Sequence, residues 1–340
     1  MTFKNQWEKT NYHFEISSQM IQEMVHQALP HATLLSHEVI SGGCANLNIK
    51  ISLIDEPQPF ILRVYIRDKD AAYREQKITA LIKHSLPLPE VYYVADFEDY
   101  RYAITQFMPG ISLRDLLLIH PHECIQEVMF EAGQTLGRIQ SHLFPKAGFF
   151  DADLNVNQSI SKQDCLTFAQ ECLAHSTVFE TIGPECIHRL TRIFEKYGFF
   201  FPDENQTHLV HGDYDPANIL VNKISEKWQI TAILDWEFAF SGSWLWDISN
   251  MLRYAHQMPV VFEKSFLRGV RDTGLVLPPH WRLTIDLLNL LSLLSCLVRV
   301  DPKKSPNQCK DICELINHKL LNLEKYHERA KPSLIFPCNF

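Results

Sequence analysis

The sequence predicts an α+β chain of two lobes, a small β-rich first lobe followed by a larger, mainly helical second one. Three observations carry this expectation. Leu47, Ile49, Ile51 and Leu53 alternate with more polar residues, and Phe60, Leu62, Val64 and Ile66 do the same, which is the two-residue period of strands. After Gly110 the apolar spacing changes to three and four residues, the period of helices. Within that helical text one loop, "LVHGDYDPANIL" (Leu209–Leu220), is framed by strand-like runs and crowds Asp213, Asp215 and Asn218 into six positions. The change of period near 107–111 divides the chain into a first lobe, 1–107, and a second, 108–340.

Taken in order, residues 17–29 place Met20, Ile21, Met24, Val25 and Ala28 at helical spacing after a Ser cap. Gly42 and Gly43 in "SGGCAN" separate an apolar approach from the first alternating strand, giving strand, Gly loop, strand. Residues 71–85 predict a helix whose stripe of Ala71, Ile78 and Ile82 also carries Glu75. A carboxylate on an apolar stripe needs a cation, and Arg63 in the preceding strand is the nearest candidate. "LPLPEVYYVADFEDYRYAITQFMPG" reads as two further strands, the second running to Pro109–Gly110. Helices are predicted in "SLRDLL", over 125–144, from about Ser161 to Tyr197, and beyond 243. "ANILVN", a turn at Lys223–Glu226 and "WQITAIL" form a hairpin between the acidic loop and "ILDWE".

Composition bounds the function. The 340 residues are 46% hydrophobic and 21% charged, ordinary for a globular chain long enough for two lobes. A net charge of −8, with no Lys/Arg-dense run, argues against a nucleic-acid partner. Nine cysteines without a framework of short spacings fit reduced thiols in a cytoplasmic protein. Cys309 and Cys313 alone are close, and no second pair completes a zinc site. The polar N-terminus has no signal-like apolar segment, and "LTIDLLNLLSLLSCLVRV", interrupted by Asp286 and Asn289, reads as a buried helix rather than a membrane span. No internal repeat and no "GxxxxGK[ST]" phosphate loop occurs.

The acidic loop supplies what phosphoryl transfer asks of a protein: a carboxylate for the attacking hydroxyl, oxygen ligands for Mg²⁺, and cations on the phosphates. "HGDYDPAN" offers Asp213 and, five residues later, Asn218, the spacing of base and metal ligand in a kinase catalytic loop. The hairpin returns the chain so that Asp235, closing a β-branched strand, stands at the same end as Asn218.

With these motifs the chain resembles the aminoglycoside phosphotransferase and choline kinase family, from about residue 35 to about residue 300. "HGDYDPANILV" and "ILDWEFAFSGSWLWDISNML" carry the resemblance; "LPLPEVYYV", "ITQFMPGISL" and "SGGCANLNIKI" are weaker landmarks. The resemblance implies a bilobal, protein-kinase-like fold whose first lobe covers ATP or GTP. It implies Asp213 as catalytic base, Asn218 and Asp235 as Mg²⁺ ligands, Arg63 on phosphate with Glu75 orienting it, Gly42 and Gly43 in the nucleotide-covering loop, and adenine held near Gln106, Phe107 and Met108. The acceptor is then a hydroxyl of a small molecule, with an amino alcohol such as choline as the alternative substrate and a catalytically silent nucleotide-binding scaffold as the alternative class.

The pattern departs from the family in three places. Arg63 stands where protein kinases keep Lys, Gln140 where the family often shows His, and Ser243 where an acid is common. Arg63 keeps the charge and adds bidentate geometry, so these departures bear on substrate rather than chemistry. His211 reads as a hydrogen-bonded turn histidine, since Asp213 is the better-placed base. Asp215 either caps the turn at Pro216 or faces a cationic substrate. Trp236, Trp244 and Trp246 either pack the lobe or line a cage for a quaternary amine. Asp247 reads as a brace at a helix start.

Overall fold

The structure, a computed structural model, describes residues 3–8, 16–40, 46–54, 56–119 and 124–329; Gly42 and Gly43 lie outside them. The first helix, α1 (Ser18–Ala28), is capped by Ser17, whose hydroxyl accepts the Met20 amide at 3.2 Å. Strands β1 (Leu34–Val39), β2 (Leu47–Leu53) and β3 (Phe60–Tyr65) lead to helix α2 (Ala71–Ile82), and then β4 (Val91–Phe97) and β5 (Tyr100–Gln106) follow. All five strands form one antiparallel sheet in the order β1-β2-β3-β5-β4. The alternation decides its faces. Ile49, Ile51, Leu53, Leu62, Val64, Tyr102 and Ile104 share one core with Ile21, Met24 and Val25 of α1. The intervening residues, Arg63 among them, therefore point from the other face. Arg63 sits in register between Asn48 and Ala103.

Strand β5 ends at Gln106, short of the expected Pro109–Gly110. Strand β6 (Ile111–Ser112) and helices α3 (Leu113–Ile119) and α4 (Ile125–Gln140) come next. Helix α4 stops four residues before the expected end because Leu143 turns into a bridge with His208 and the Phe144 amide donates to Thr207 O. Two short strands, β7 (Gly148–Phe150) and β8 (Val156–Ser159), precede α5 (Lys162–Ala174) and α6 (Ser176–Tyr197), the second kinked at Gly183–Pro184. Strand β9 (His208–Val210) enters the acidic loop, and the expected hairpin is β10 (Ile219–Ile224) and β11 (Lys227–Ile233), turning through Ser225 and Glu226, both at positive φ. Strand β12 (Phe240–Gly242) and helices α7 (Leu245–Met251), α8 (Val260–Asp272), α9 (Trp281–Arg299) and α10 (Pro306–Arg329) complete the chain. Two small sheets, β11-β10-β6 and β8-β7-β12-β9, each join strands from before the acidic loop to strands after it.

Of the described residues, one compact unit takes 8–160 and 204–276, and a second takes 3–7, 161–203 and 277–329. In the first, α4 and α8 approach closely because a Cβ at Gly133 would lie 2.1 Å from Phe266 O. In the second, α9 is long and apolar enough to cross a membrane, but most of its apolar window is buried, as in a core helix. There the Lys319 ammonium meets Asp286 on α9 at 2.9 Å, which satisfies both charges.

Candidate active site

Every described residue that the sequence assigns to the chemistry falls in the first unit. The backbone of the acidic loop is fixed from below. Asp247, wholly buried at the start of α7, accepts the His211 amide at 2.9 Å and the Gly212 amide at 3.0 Å, with Gln140 Nε2 at 3.3 Å. Burial pushes the Asp247 carboxyl up to about 7, against the pull of the two amides. Asn250 Nδ2 donates to Gly212 O at 2.8 Å, and Arg253 Nη2 donates to Asn250 Oδ1 at 2.6 Å. Gly212 takes φ +84°, and a Cβ there would lie 2.3 Å from Phe238 O, so the position requires glycine.

His211 is fully buried. Its Nε2 lies 2.9 Å from Leu234 O, which fixes the proton on Nε2, and its Nδ1 accepts the Asp213 amide at 3.3 Å. Burial lowers its proton affinity, so the ring is neutral and holds backbone on both sides. Asp215 Oδ1 accepts the Ala217 amide at 2.8 Å, capping the single turn that begins at Pro216.

The same turn aims Asn218 at Asp213: Nδ2 donates to Asp213 O at 2.9 Å and to Asp213 Oδ2 at 3.0 Å. With Nδ2 committed, the Asn218 amide keeps Oδ1 as its acceptor end. The Leu234 amide donates to Asn218 O at 2.8 Å and Ile219 pairs with Ile233, so the hairpin delivers Asn218 and Asp235 to one end. Asp235 takes φ +68°, an uncommon conformation for a residue with a side chain.

From the sheet side, Arg63 Nη2 reaches Asp235 Oδ1 at 2.6 Å and Glu75 Oε1 at 3.3 Å. The longer contact is an ion pair without hydrogen-bond alignment, and Glu75 instead accepts the Tyr65 hydroxyl at 2.6 Å on its other oxygen. Burial works against the Arg63 charge, but Glu75 and Asp235 outweigh it and hold the guanidinium protonated. Burial raises the Glu75 carboxyl, and Arg63 counters it.

Sequence reasoning missed one carboxylate beside this centre. Glu237, 6% exposed, accepts Asn46 Nδ2 at 2.7 Å on Oε2, while its Oε1 is buried without a hydrogen-bond partner among the described residues. Burial and the neighbouring Asp235 push this carboxyl up to about 7. The available signal was a second acid in "DWE", two residues beyond Asp235. At the predicted adenine contact, the Gln106 amide donates to Glu90 O at 2.8 Å, and its side-chain oxygen accepts the Glu90 amide at 3.3 Å. The Gln106 backbone donor is therefore committed within the protein. Lys50 Nζ lies 4.7 Å from the centre of the Phe107 ring. Trp236, packed on His211 at 4.4 Å between ring centres, and Trp244 are 3% and 7% exposed, so neither has a free face for a ligand.

The donor set suits Mg²⁺. Among the described residues no group of three or more His, Cys, Asp or Glu is arranged to hold a metal. A phosphate-bridging Mg²⁺ takes only one or two protein oxygens, and Asn218 Oδ1 with the Asp235 carboxylate are hard oxygen donors of that kind.

A β-sheet N-terminal region, a helical C-terminal region and an acidic loop braced against a hairpin define a kinase-like phosphotransferase fold. The chain belongs to the phosphotransferase enzyme family, whose model matches residues 36–281. Among solved structures, it is similar to aminoglycoside phosphotransferase APH(4)-Ia, at 16% identity, TM-score 0.69, covering 90% of this chain and 99% of that one. A thermostable mutant of the same enzyme, in ternary complex with AMP-PNP and hygromycin B, matches at 18% identity and TM-score 0.66, covering 88% and 98%. Macrolide 2'-phosphotransferase MphH from Brachybacterium faecium matches at 16% identity and TM-score 0.61, covering 87% and 97%. No curated protein sequence matches the chain significantly.

Proposed function

We propose that the protein is an ATP-dependent phosphotransferase that moves the γ-phosphate to a hydroxyl of a small molecule. The observation that carries this reading is the convergence of Asp213, Asn218, Asp235 and Arg63 in one unit, with Asn218 bonded to Asp213 and Arg63 to Asp235. The similar APH(4)-Ia mutant was seen with AMP-PNP and hygromycin B, which supports a nucleotide and a small acceptor here as well.

In this reading residues 1–107 cover the nucleotide, and residues 108–340 carry the catalytic loop and the acceptor pocket. Asp213 orients the acceptor hydroxyl and takes its proton as the oxygen bonds to the γ-phosphorus and the bond to the departing ADP oxygen breaks. Asn218 Oδ1 and Asp235 would hold Mg²⁺, which would neutralise charge on the phosphates. Arg63 turns from Asp235 toward the phosphates and keeps Glu75 as its counter-ion. The nucleobase is met by Phe107 and Met108, with Gln106 fixing the strand end behind them. Asn218 and Asp213 are already bonded to each other, so this site needs little rearrangement beyond the release of Asp235 from Arg63.

The acceptor is a small molecule because the segment after Asp235 has no length left for a peptide platform. Only residues 236–246 separate Asp235 from Asp247, and β12 within them is paired on both sides, with β9 and β7. The buried rings of Trp236 and Trp244 give no support to a quaternary-amine cage. The seven described cysteines are free thiols, which fits a reducing cytoplasm.

The test is phosphate transfer from labelled ATP, and separately GTP, to a panel of aminoglycosides, macrolides, amino alcohols and sugars, beside a generic protein mixture. Mg²⁺-dependent transfer to a small hydroxyl is expected. Transfer to protein Ser or Thr alone would overturn the reading.

A further inference from the structure

The polar junction around Glu237 is not part of the transfer chemistry, yet it is built as carefully as the site beside it. Asn46 is 5% exposed and is the first residue described after the Gly42–Gly43 stretch, three positions beyond Gly43 in sequence. Its side chain is used at both ends. Oδ1 accepts the Ile66 amide at 3.3 Å, just past the end of β3, and Nδ2 donates to Glu237 Oε2 at 2.7 Å across 191 residues. The backbone of Glu237 is held as well, since Arg74 Nη2 of α2 donates to Glu237 O at 3.0 Å while also pairing with Asp68. Glu237 stands two residues after Asp235, so whatever fixes it also fixes the turn that presents Asp235. A carboxylate is an expensive group to bury for structure alone; an apolar residue would fill the space without the desolvation cost.

We infer that Glu237 is a positioning residue: through Asn46 it locks the start of β2 to the turn carrying Asp235. The inference rests on the nucleotide reading above. The bond ties the sheet that carries Arg63 to the turn that carries Asp235, so its loss is felt in nucleotide binding. Glu237→Gln keeps an oxygen for Asn46 Nδ2, whereas Glu237→Ala and Asn46→Ala each remove the link.

The experiment measures Mg²⁺–ATP dissociation constants by calorimetry for the parent, Glu237→Gln, Glu237→Ala, Asn46→Ala and the double alanine variant, with KM for ATP and for the acceptor where turnover is found. Each alanine variant is expected to weaken nucleotide affinity roughly tenfold, the range of one hydrogen bond to a charged group. The double variant should be no weaker than either single one, because both remove the same link. Glu237→Gln should stay within about threefold of the parent, and the acceptor KM should not move. Affinity losses that multiply in the double variant would overturn the proposal, as would unchanged affinity in both single variants or Glu237→Gln as weak as Glu237→Ala. Should Glu237→Ala fail to fold, the contrast between Asn46→Ala and Glu237→Gln decides alone. A parent that binds nucleotide but transfers no phosphate would sink the phosphotransferase reading while leaving this test intact.

Discussion

At the scale of the residue, Arg63 serves two carboxylates with one nitrogen, 2.6 Å from Asp235 and 3.3 Å from Glu75. Removing it as Arg63→Met leaves two largely buried acids facing each other, so a loss of about 2–3 kcal/mol in denaturant unfolding is expected. Arg63→Lys keeps the charge but not the planar fork. It should retain most of the stability while raising the nucleotide KM, and the two measurements together separate charge from geometry. Asp213→Asn should leave nucleotide affinity nearly intact while turnover falls by roughly 10²–10⁴-fold; near-normal turnover would remove Asp213 from its role as base. Much of this centre was legible in the sequence. Glu75 on an apolar stripe demanded a cation, and Arg63 was the one within reach. What stayed hidden is that Arg63 is bound more closely to Asp235, 172 residues away, and that Tyr65 supplies the hydrogen bond to Glu75. Neither contact leaves a mark in local spacing.

At the scale of the element, the acidic loop is held by the helix that follows it, through one buried carboxylate and one glycine. Gly212→Ala places a Cβ 2.3 Å from a backbone oxygen at φ +84°, a clash no rotamer relieves. A destabilisation of about 1–3 kcal/mol is expected, read as a lower melting temperature with a proportionate fall in turnover. Asp247 adds a pH dependence. Its folded pKa of about 7 lies above the ordinary carboxyl value of 3.8, so the folded chain binds this proton more tightly than the unfolded one. Its contribution to stability is therefore greatest at low pH, declines as the pH rises from about 4 to about 7, and is level above that. The difference in unfolding free energy between parent and Asp247→Asn, followed across that range, should show the slope; a flat difference would contradict it. The elements themselves were legible where a period had room to repeat. The alternation of β2 and β3 and the stripes of α1 and α2 were read correctly, but β6, β7, β8 and β12 span only two to four residues. Such strands exist because neighbours pair with them, and two to four residues do not establish a period. Helix α4 was read too long for the same reason: His142 and Leu143 suit a helix, and the β-bridge to His208 overrules them.

At the scale of the whole molecule, every described residue assigned to nucleotide and metal lies in the unit of residues 8–160 and 204–276, and none in the unit of 161–203 and 277–329. A ligand that binds only the folded state stabilises what it binds, by about 2.7 kcal/mol when its concentration is a hundred times its dissociation constant. Calorimetric melting with and without Mg²⁺–ATP therefore reports which part of the chain the nucleotide grips. If the two units melt in separate transitions, only the one carrying Arg63, Asp213, Asn218 and Asp235 should move upward; if they melt together, the single transition should move by less, since the same energy is shared over a larger unfolding entropy. The shift should require both partners of the metal. It should vanish with Asp235→Ala and with a chelator, and it should persist in Asp213→Asn, where only the proton acceptor is lost. A shift that survives Asp235→Ala, or one confined to the other transition, would place the nucleotide away from the end of the β10–β11 hairpin and remove the basis for reading that end as a phosphate site.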